Sequence, residues 1–101
     1  MDTSPVHTDK AFDPVIHPLN RLQICAALAP HSEMEFSALR DVLGVSDSVL
    51  SKQLRYLEEA GYARLRKATV NTRQRTWIRL TDAGRKAYAG HLAALRNLAG
   101  L

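Results

Sequence analysis

At 101 residues, 46% hydrophobic and 24% charged, the chain has the length for one domain around one core, with no room for a second. No apolar run approaches the roughly 18 residues that span a bilayer, the start MDTSPVHTDK is neither positive nor apolar, and Cys25 is the lone cysteine, which excludes a membrane-spanning helix, a secretory signal and an internal disulfide and predicts a cytoplasmic setting. The net charge of +4 divides as −3 over residues 1–45, +5 over 46–80 and +2 over 81–101, so the positive field gathers where a polyanion would dock.

Residues 1–13 are polar, contain Pro5 and show no period, which predicts a flexible arm before a domain over 14–101. Pro18 suits a helix start, Leu19, Leu22, Cys25 or Ala26, and Leu28 follow at helical spacing, and Pro30 stops the run. Met34 to Phe36 reads as a short extended piece. Ser37 is placed to cap a second helix carrying Leu39, Val42 and Leu43, with Gly44 as its stop. Gly44 and Val45 then make a turn too short to let the next helix run independently, the outline of a helix-turn-helix.

Ser46 caps the third helix, expected over residues 46–60 with Gly61 as its stop. Its wheel divides cleanly. Leu50, Leu54 and Leu57 form a core stripe, while Ser48, Ser51, Lys52 and Arg55 point away. The period then changes to two: Ala63, Leu65 and Lys67 alternate with Arg64 and Arg66, and Thr76, Ile78 and Leu80 alternate with Trp77 and Arg79. Two strands joined by about eight residues make a hairpin over 63–80, whose tip, NTRQR at 71–75, carries Arg73 and Arg75 with no acid nearby in sequence. Thr81 caps a last helix with Tyr88, Leu92, Leu95 and Leu98 or Ala99 as its apolar stripe. The expected class is mainly α with a small β-hairpin (α+β), in the order α-α-(short β)-α-α-β-β-α.

Two stretches, LGVSDSVLSKQLRYLEEAGY at 43–62 and RTWIRLTDAGRKAY at 75–88, make the chain resemble winged helix-turn-helix transcriptional regulators of the MarR/ArsR-like kind, of the short single-domain bacterial type. The resemblance implies a recognition helix in the major groove, a wing on the backbone or minor groove, and a homodimer on double-stranded DNA. Ser48, Ser51 and Lys52 match positions that commonly face DNA in such proteins, Gln53 stands where a histidine is frequent, and Arg73 and Arg75 match the basic wing. No cysteine cluster is present, so the metal-sensing mode of ArsR proteins is not supported. The long terminal helices of larger MarR proteins are absent or shortened.

The DNA face is therefore expected to comprise Ser46, Ser48, Ser51, Lys52, Gln53 and Arg55 on the helix with Lys67, Arg73, Gln74 and Arg75 on the wing. Tyr88, Leu92, Leu95 and Leu98 are the candidate dimer contacts. The last helix folding back on its own core is the alternative. Lys52 and Arg55 could instead form surface ion pairs with Glu59 or Glu58. No catalytic residue, cofactor or metal site is expected: no Gly-rich phosphate loop or nucleophile motif is present, and His7, His17, His31, His91 and Cys25 match no tight zinc spacing. The rival to a DNA-binding regulator is a winged helix used for RNA or protein contact.

Overall fold

Pro18 stands extended, at φ −55° and ψ 135°, immediately before α1 (Leu19–Leu28), where its missing N–H leaves no helical bond unmade. The computed structural model, which describes residues 11–101, continues with β1 (Met34–Glu35), α2 (Phe36–Leu43), α3 (Asp47–Glu59), β2 (Ala63–Val70), β3 (Arg73–Leu80) and α4 (Asp82–Ala99). The mixed α+β class is as expected. One helix, not two, precedes the short strand among the described residues, so the order is α-β-α-α-β-β-α. The cap of α2 is Glu35, not Ser37, because β1 runs directly into the helix.

Each helix-turn-helix joint has a local cause. Gly44 closes α2 at φ +66° and donates its N–H to the Arg40 carbonyl. A left-handed residue there costs glycine least. Ser46 then accepts a hydrogen bond from the Val49 N–H at 3.2 Å and starts α3. Gly61, at φ +78°, ends the following turn, where Tyr62 N–H reaches back to the Leu57 carbonyl. Leu50, Leu54 and Leu57 are fully buried and meet Ile16, Ile24, Cys25, Leu28, Leu39, Ala63, Ile78 and Leu80 in one core. Burying each such leucine contributes roughly 1.5–3 kcal/mol. The Cys25 thiol, pushed up to about 12 by burial and the nearby Asp13, stays protonated and unreactive.

The three strands form an antiparallel sheet in the order β1-β3-β2, with Met34 opposite Ile78 and Ala63 opposite Leu80. The expected eight-residue hairpin loop is in fact a two-residue turn. Asn71 and Thr72 both take positive φ, at 50° and 65°, the pairing a tight hairpin needs to match strand twist. Ala68–Val70 and Arg73–Arg75 therefore belong to the ladder; most of these residues are exposed, so alternation carries no clear hydrophobic signal there.

The motif pair LEEAGY and LTDAGR is explained by one junction. Thr81 Oγ1 accepts from the Gly84 N–H at 3.0 Å, capping α4, and donates to the Gly61 carbonyl at 2.6 Å. The Tyr62 carbonyl lies against Gly84, where a Cβ would stand 2.9 Å from the carbonyl carbon and closer still to its oxygen. Arg85 donates to the Ala29 and His31 carbonyls at 2.8 and 2.7 Å, satisfying the end of α1.

α4 keeps only Tyr88 of the expected stripe against the core. Gly84, His91 and Ala94 are its buried residues, with Ala87 and Tyr88 packed against the core. Leu92 and Leu95 are only half-buried and Leu98 is exposed. His91 enters the core because its ring nitrogens are satisfied. The Asp13 N–H donates to Nδ1 at 2.9 Å, which fixes the neutral tautomer with its proton on Nε2, and Nε2–H donates to His17 Nδ1 at 3.3 Å. Residues 1–10 of the expected arm lie outside the described residues. Residues 11–13, also assigned to it, are tied down: Phe12 packs against both His17 and His91 with centroids 4.7 and 4.8 Å away, and Asp13 accepts from the Tyr62 hydroxyl at 2.5 Å.

Candidate nucleic-acid interface

The amphipathic split of α3 leaves Ser46, Ser48, Ser51, Lys52 and Arg55 exposed on one side while its leucines anchor the other. Ser48 Oγ lies 3.2 Å from Ser46 Oγ at the helix start, so both hydroxyls stand at the N-terminal turn of α3, the end of a helix that favours an anion. Lys52 and Arg55 form no ion pair with Glu58 or Glu59 among the described residues. With Tyr56 and Glu59 they border an open hollow of about 250 Å³. These two cations, without ion-pair partners among the described residues, are available for phosphate.

Gln53, assigned to the same face, is turned toward α1. Its Oε1 accepts from Arg21 Nη1 at 2.9 Å, and the Arg21 guanidinium lies 4.3 Å from the centroid of the Tyr56 ring. Neither partner was identifiable as such in the sequence, since 32 residues separate Arg21 from Gln53. Arg40 is a second residue that pattern reading missed. Its guanidinium reaches Asp41 at 3.0 Å and Asp47 at 2.9 Å, and these hydrogen-bonded carboxylates, Asp47 above all, raise its pKa further. Arg40 thereby offsets the acid in the first turn of α3, leaving that end suited to a polyanion.

The wing residues divide between two faces. In the β2–β3 register Lys67 lies opposite Thr76 and Gln74 opposite Thr69, on the side of Leu65 and Ile78; Arg73 and Arg75 share the other side with Trp77. Lys67, Arg73 and Gln74 are exposed. Arg75 differs from the expectation that it has no acid nearby. Pairing of β1 with β3 brings Glu35 beside it, and Nη1 donates to both carboxylate oxygens at 2.9 and 2.7 Å. Its Nε–H is buried with no hydrogen-bond partner among the described residues. Arg66 is likewise held by Glu33 at 2.8 Å, with its guanidinium 5.9 Å from the Trp77 ring centroid.

No group of three or more His, Cys, Asp or Glu side chains is placed to share a metal ion among the described residues, and no helix there is long and apolar enough to cross a membrane. The arrangement suits electrostatic docking of a nucleic acid along α3 and the hairpin, with a short list of polar groups to read it.

Comparison with known proteins agrees with this geometry. Residues 20–99 match the family model of a winged helix DNA-binding domain. An uncharacterized protein of Methanocaldococcus jannaschii is 30% identical over 89 residues, which is 88% of this chain and 92% of that one. The structure of a transcriptional regulator homologue from Pyrococcus horikoshii OT3 superposes with a TM-score of 0.82 at 24% identity, covering 96% of this chain and 92% of the other. The M. tuberculosis transcriptional regulator MOSR, solved in complex with DNA, has a TM-score of 0.69 at 23% identity, over 91% of this chain and 65% of its own.

Proposed function

The chain belongs to the winged helix DNA-binding domain family, and from that premise we propose that it is a sequence-specific double-stranded DNA-binding transcriptional regulator, a repressor acting as a homodimer. α3 enters the major groove, and the β2–β3 wing lies on the backbone or minor groove. The observation that carries this reading is the exposed set Ser48, Ser51, Lys52 and Arg55 on a helix whose opposite face is locked into the core. Lys52, Arg55, Lys67 and Arg73 neutralise phosphates and release counterions, and the serines approach base edges, where a good contact discriminates by about 1–3 kcal/mol. Repression by occupying a promoter requires nothing beyond the DNA contacts of this domain.

Dimerisation is assigned to the far end of α4. Leu92 and Leu95 are half-buried, while Leu98 is 51% and Leu101 is 90% exposed in the single chain. An apolar end of this kind is stabilised by a second copy, and two-fold pairing sets two recognition helices about 34–36 Å apart, one DNA turn. Tyr88, expected in that interface, packs against the core instead and is left out of it.

Selection of bound sequences from random duplex DNA tests the reading directly. A palindromic consensus with half-sites one turn apart is expected; preference for RNA over duplex at equal nucleotide concentration would overturn it. Lys52→Ala should weaken duplex binding and lower the salt slope by about 1, read by fluorescence anisotropy at several salt concentrations. Sedimentation at micromolar concentration, with and without DNA, decides the dimer: a strict monomer in both removes it.

A further inference from the structure

We propose that Arg21 is a positioning residue for DNA recognition, tying the turn before α1 to the recognition helix so that α3 is held at one angle on its support. This inference rests on the DNA-binding reading of α3. The argument starts from where the three functions of one guanidinium go. Nε donates to the Val15 carbonyl at 2.5 Å, Nη1 donates to Gln53 Oε1 at 2.9 Å, and the planar face covers the Tyr56 ring at 4.3 Å. Gln53 and Tyr56 are on α3, one residue beyond Lys52 and Arg55 respectively. An arginine fork has the geometry for such simultaneous contacts, and a lysine does not.

The other end of the clamp is itself anchored. Val15 N–H donates to Asp13 Oδ1 at 2.8 Å, Asp13 Oδ2 accepts from Tyr62 at 2.5 Å, and the Asp13 N–H is held by His91 of α4. Arg21 therefore connects a turn fixed to α4 with the exposed side of α3. The buried leucines hold α3 in the core, but apolar contacts are non-directional. Arg40 ties the first residue of α3 through Asp47 at 2.9 Å, and the directional restraint on the middle of the helix, beside Lys52 and Arg55, comes from Arg21. A small rotation moves Ser48, Ser51, Lys52 and Arg55 together relative to a groove; phosphate contacts tolerate this through long side chains, while base contacts do not. With its Oε1 occupied by Arg21, Gln53 serves the helix as a strut.

The test compares wild type, Arg21→Lys, Arg21→Ala, Gln53→Ala and the double variant Arg21→Ala/Gln53→Ala by anisotropy titration. The probes are a duplex chosen by selection and a scrambled duplex of equal length, titrated across salt concentrations, with urea melts alongside. Both Arg21 variants should lose about tenfold in the ratio of selected to scrambled affinity, comparable to the loss at one mismatched base pair, while the scrambled-duplex salt slope stays the same. Gln53→Ala should lose part of that ratio, and adding it to Arg21→Ala should cost nothing more. If Arg21→Ala does not fold, Arg21→Lys and Gln53→Ala carry the same test. Selective wild-type binding with an unchanged ratio in Arg21→Lys and Gln53→Ala overturns the clamp and leaves the DNA reading standing. A fall in salt slope equal to one phosphate makes Arg21 a direct contact and also overturns it. Absence of wild-type duplex binding removes the DNA reading, and the inference with it.

Discussion

Replacing Glu35 by glutamine probes how much of the wing's charge is available to DNA. In the present structure Arg75 spends its charge on Glu35, with side-chain exposures of 36% and 22%, so DNA must compete with a preformed carboxylate. Glutamine keeps the shape and one acceptor oxygen but removes the negative charge. If Arg75 then turns to a phosphate, the slope of log affinity against log salt steepens by about 0.9 per wing. At ~0.1 M salt one such contact corresponds to about an eightfold gain, and between ~50 and ~200 mM the variant should lose about 3.5-fold more affinity than wild type. Folding stability should fall by about 1 kcal/mol. At about one-third and one-fifth exposed, the pair lies between the surface and buried limits, and the unpartnered Arg75 Nε–H already detracts from it.

The assay is anisotropy at four salt concentrations for Glu35→Gln, Arg75→Ala and the double variant, with urea melts for stability. The gain must vanish when Arg75 is also removed, because only then is it attributable to the freed guanidinium. Equal or weaker binding by Glu35→Gln with an unchanged slope would refute the reasoning and make the pair a brace for the β1–β3 edge.

Three further outcomes follow from the fold. Gly84→Ala forces a methyl into the Tyr62 peptide, so urea melts should show a loss of about 3 kcal/mol or more, the range of severe overpacking against backbone. Thr72→Gly relieves a β-branched residue held at φ 65° and should raise stability by about 1 kcal/mol in the same assay, with the hairpin register unchanged. The His91 pKa is lowered from 6.5, first by burial and then by the charge of His17. Between the folded and unfolded values the unfolded chain binds the extra proton, so stability is complete above pH 6.5 and falls as pH drops toward the folded value. Urea melts from pH 7.5 to 5 should show this fall, and His91→Gln should flatten it.

What could be read along the chain is what is decided within a few residues. Ser46 and Thr81 act as caps and Gly44 and Gly61 as stops because each satisfies or frees backbone groups no more than five positions away. The Leu50, Leu54 and Leu57 stripe is core because helical geometry alone puts those residues together. The site was legible as a face and not as a set of partners. Glu35 meets Arg75 across 40 residues, Arg21 meets Gln53 across 32, and Asp13 meets His91 across 78; a period in the sequence contains none of these distances.

The helix α4 shows how one such long-range contact shifts most of a stripe. Leucines at 92, 95 and 98 outweigh a histidine at 91 in any reading by polarity, yet the backbone N–H of Asp13 makes His91 a satisfied core residue, and the core then takes Gly84, Ala87, Tyr88 and Ala94 with it. The leucines are left on the adjoining flank. A helix folding onto its own core and a helix offering an apolar face to a second copy are therefore not competing accounts of α4. The histidine turns one flank inward, and by doing so it leaves Leu98, with Leu101 beyond it, facing outward as the surface on which the proposed dimer rests.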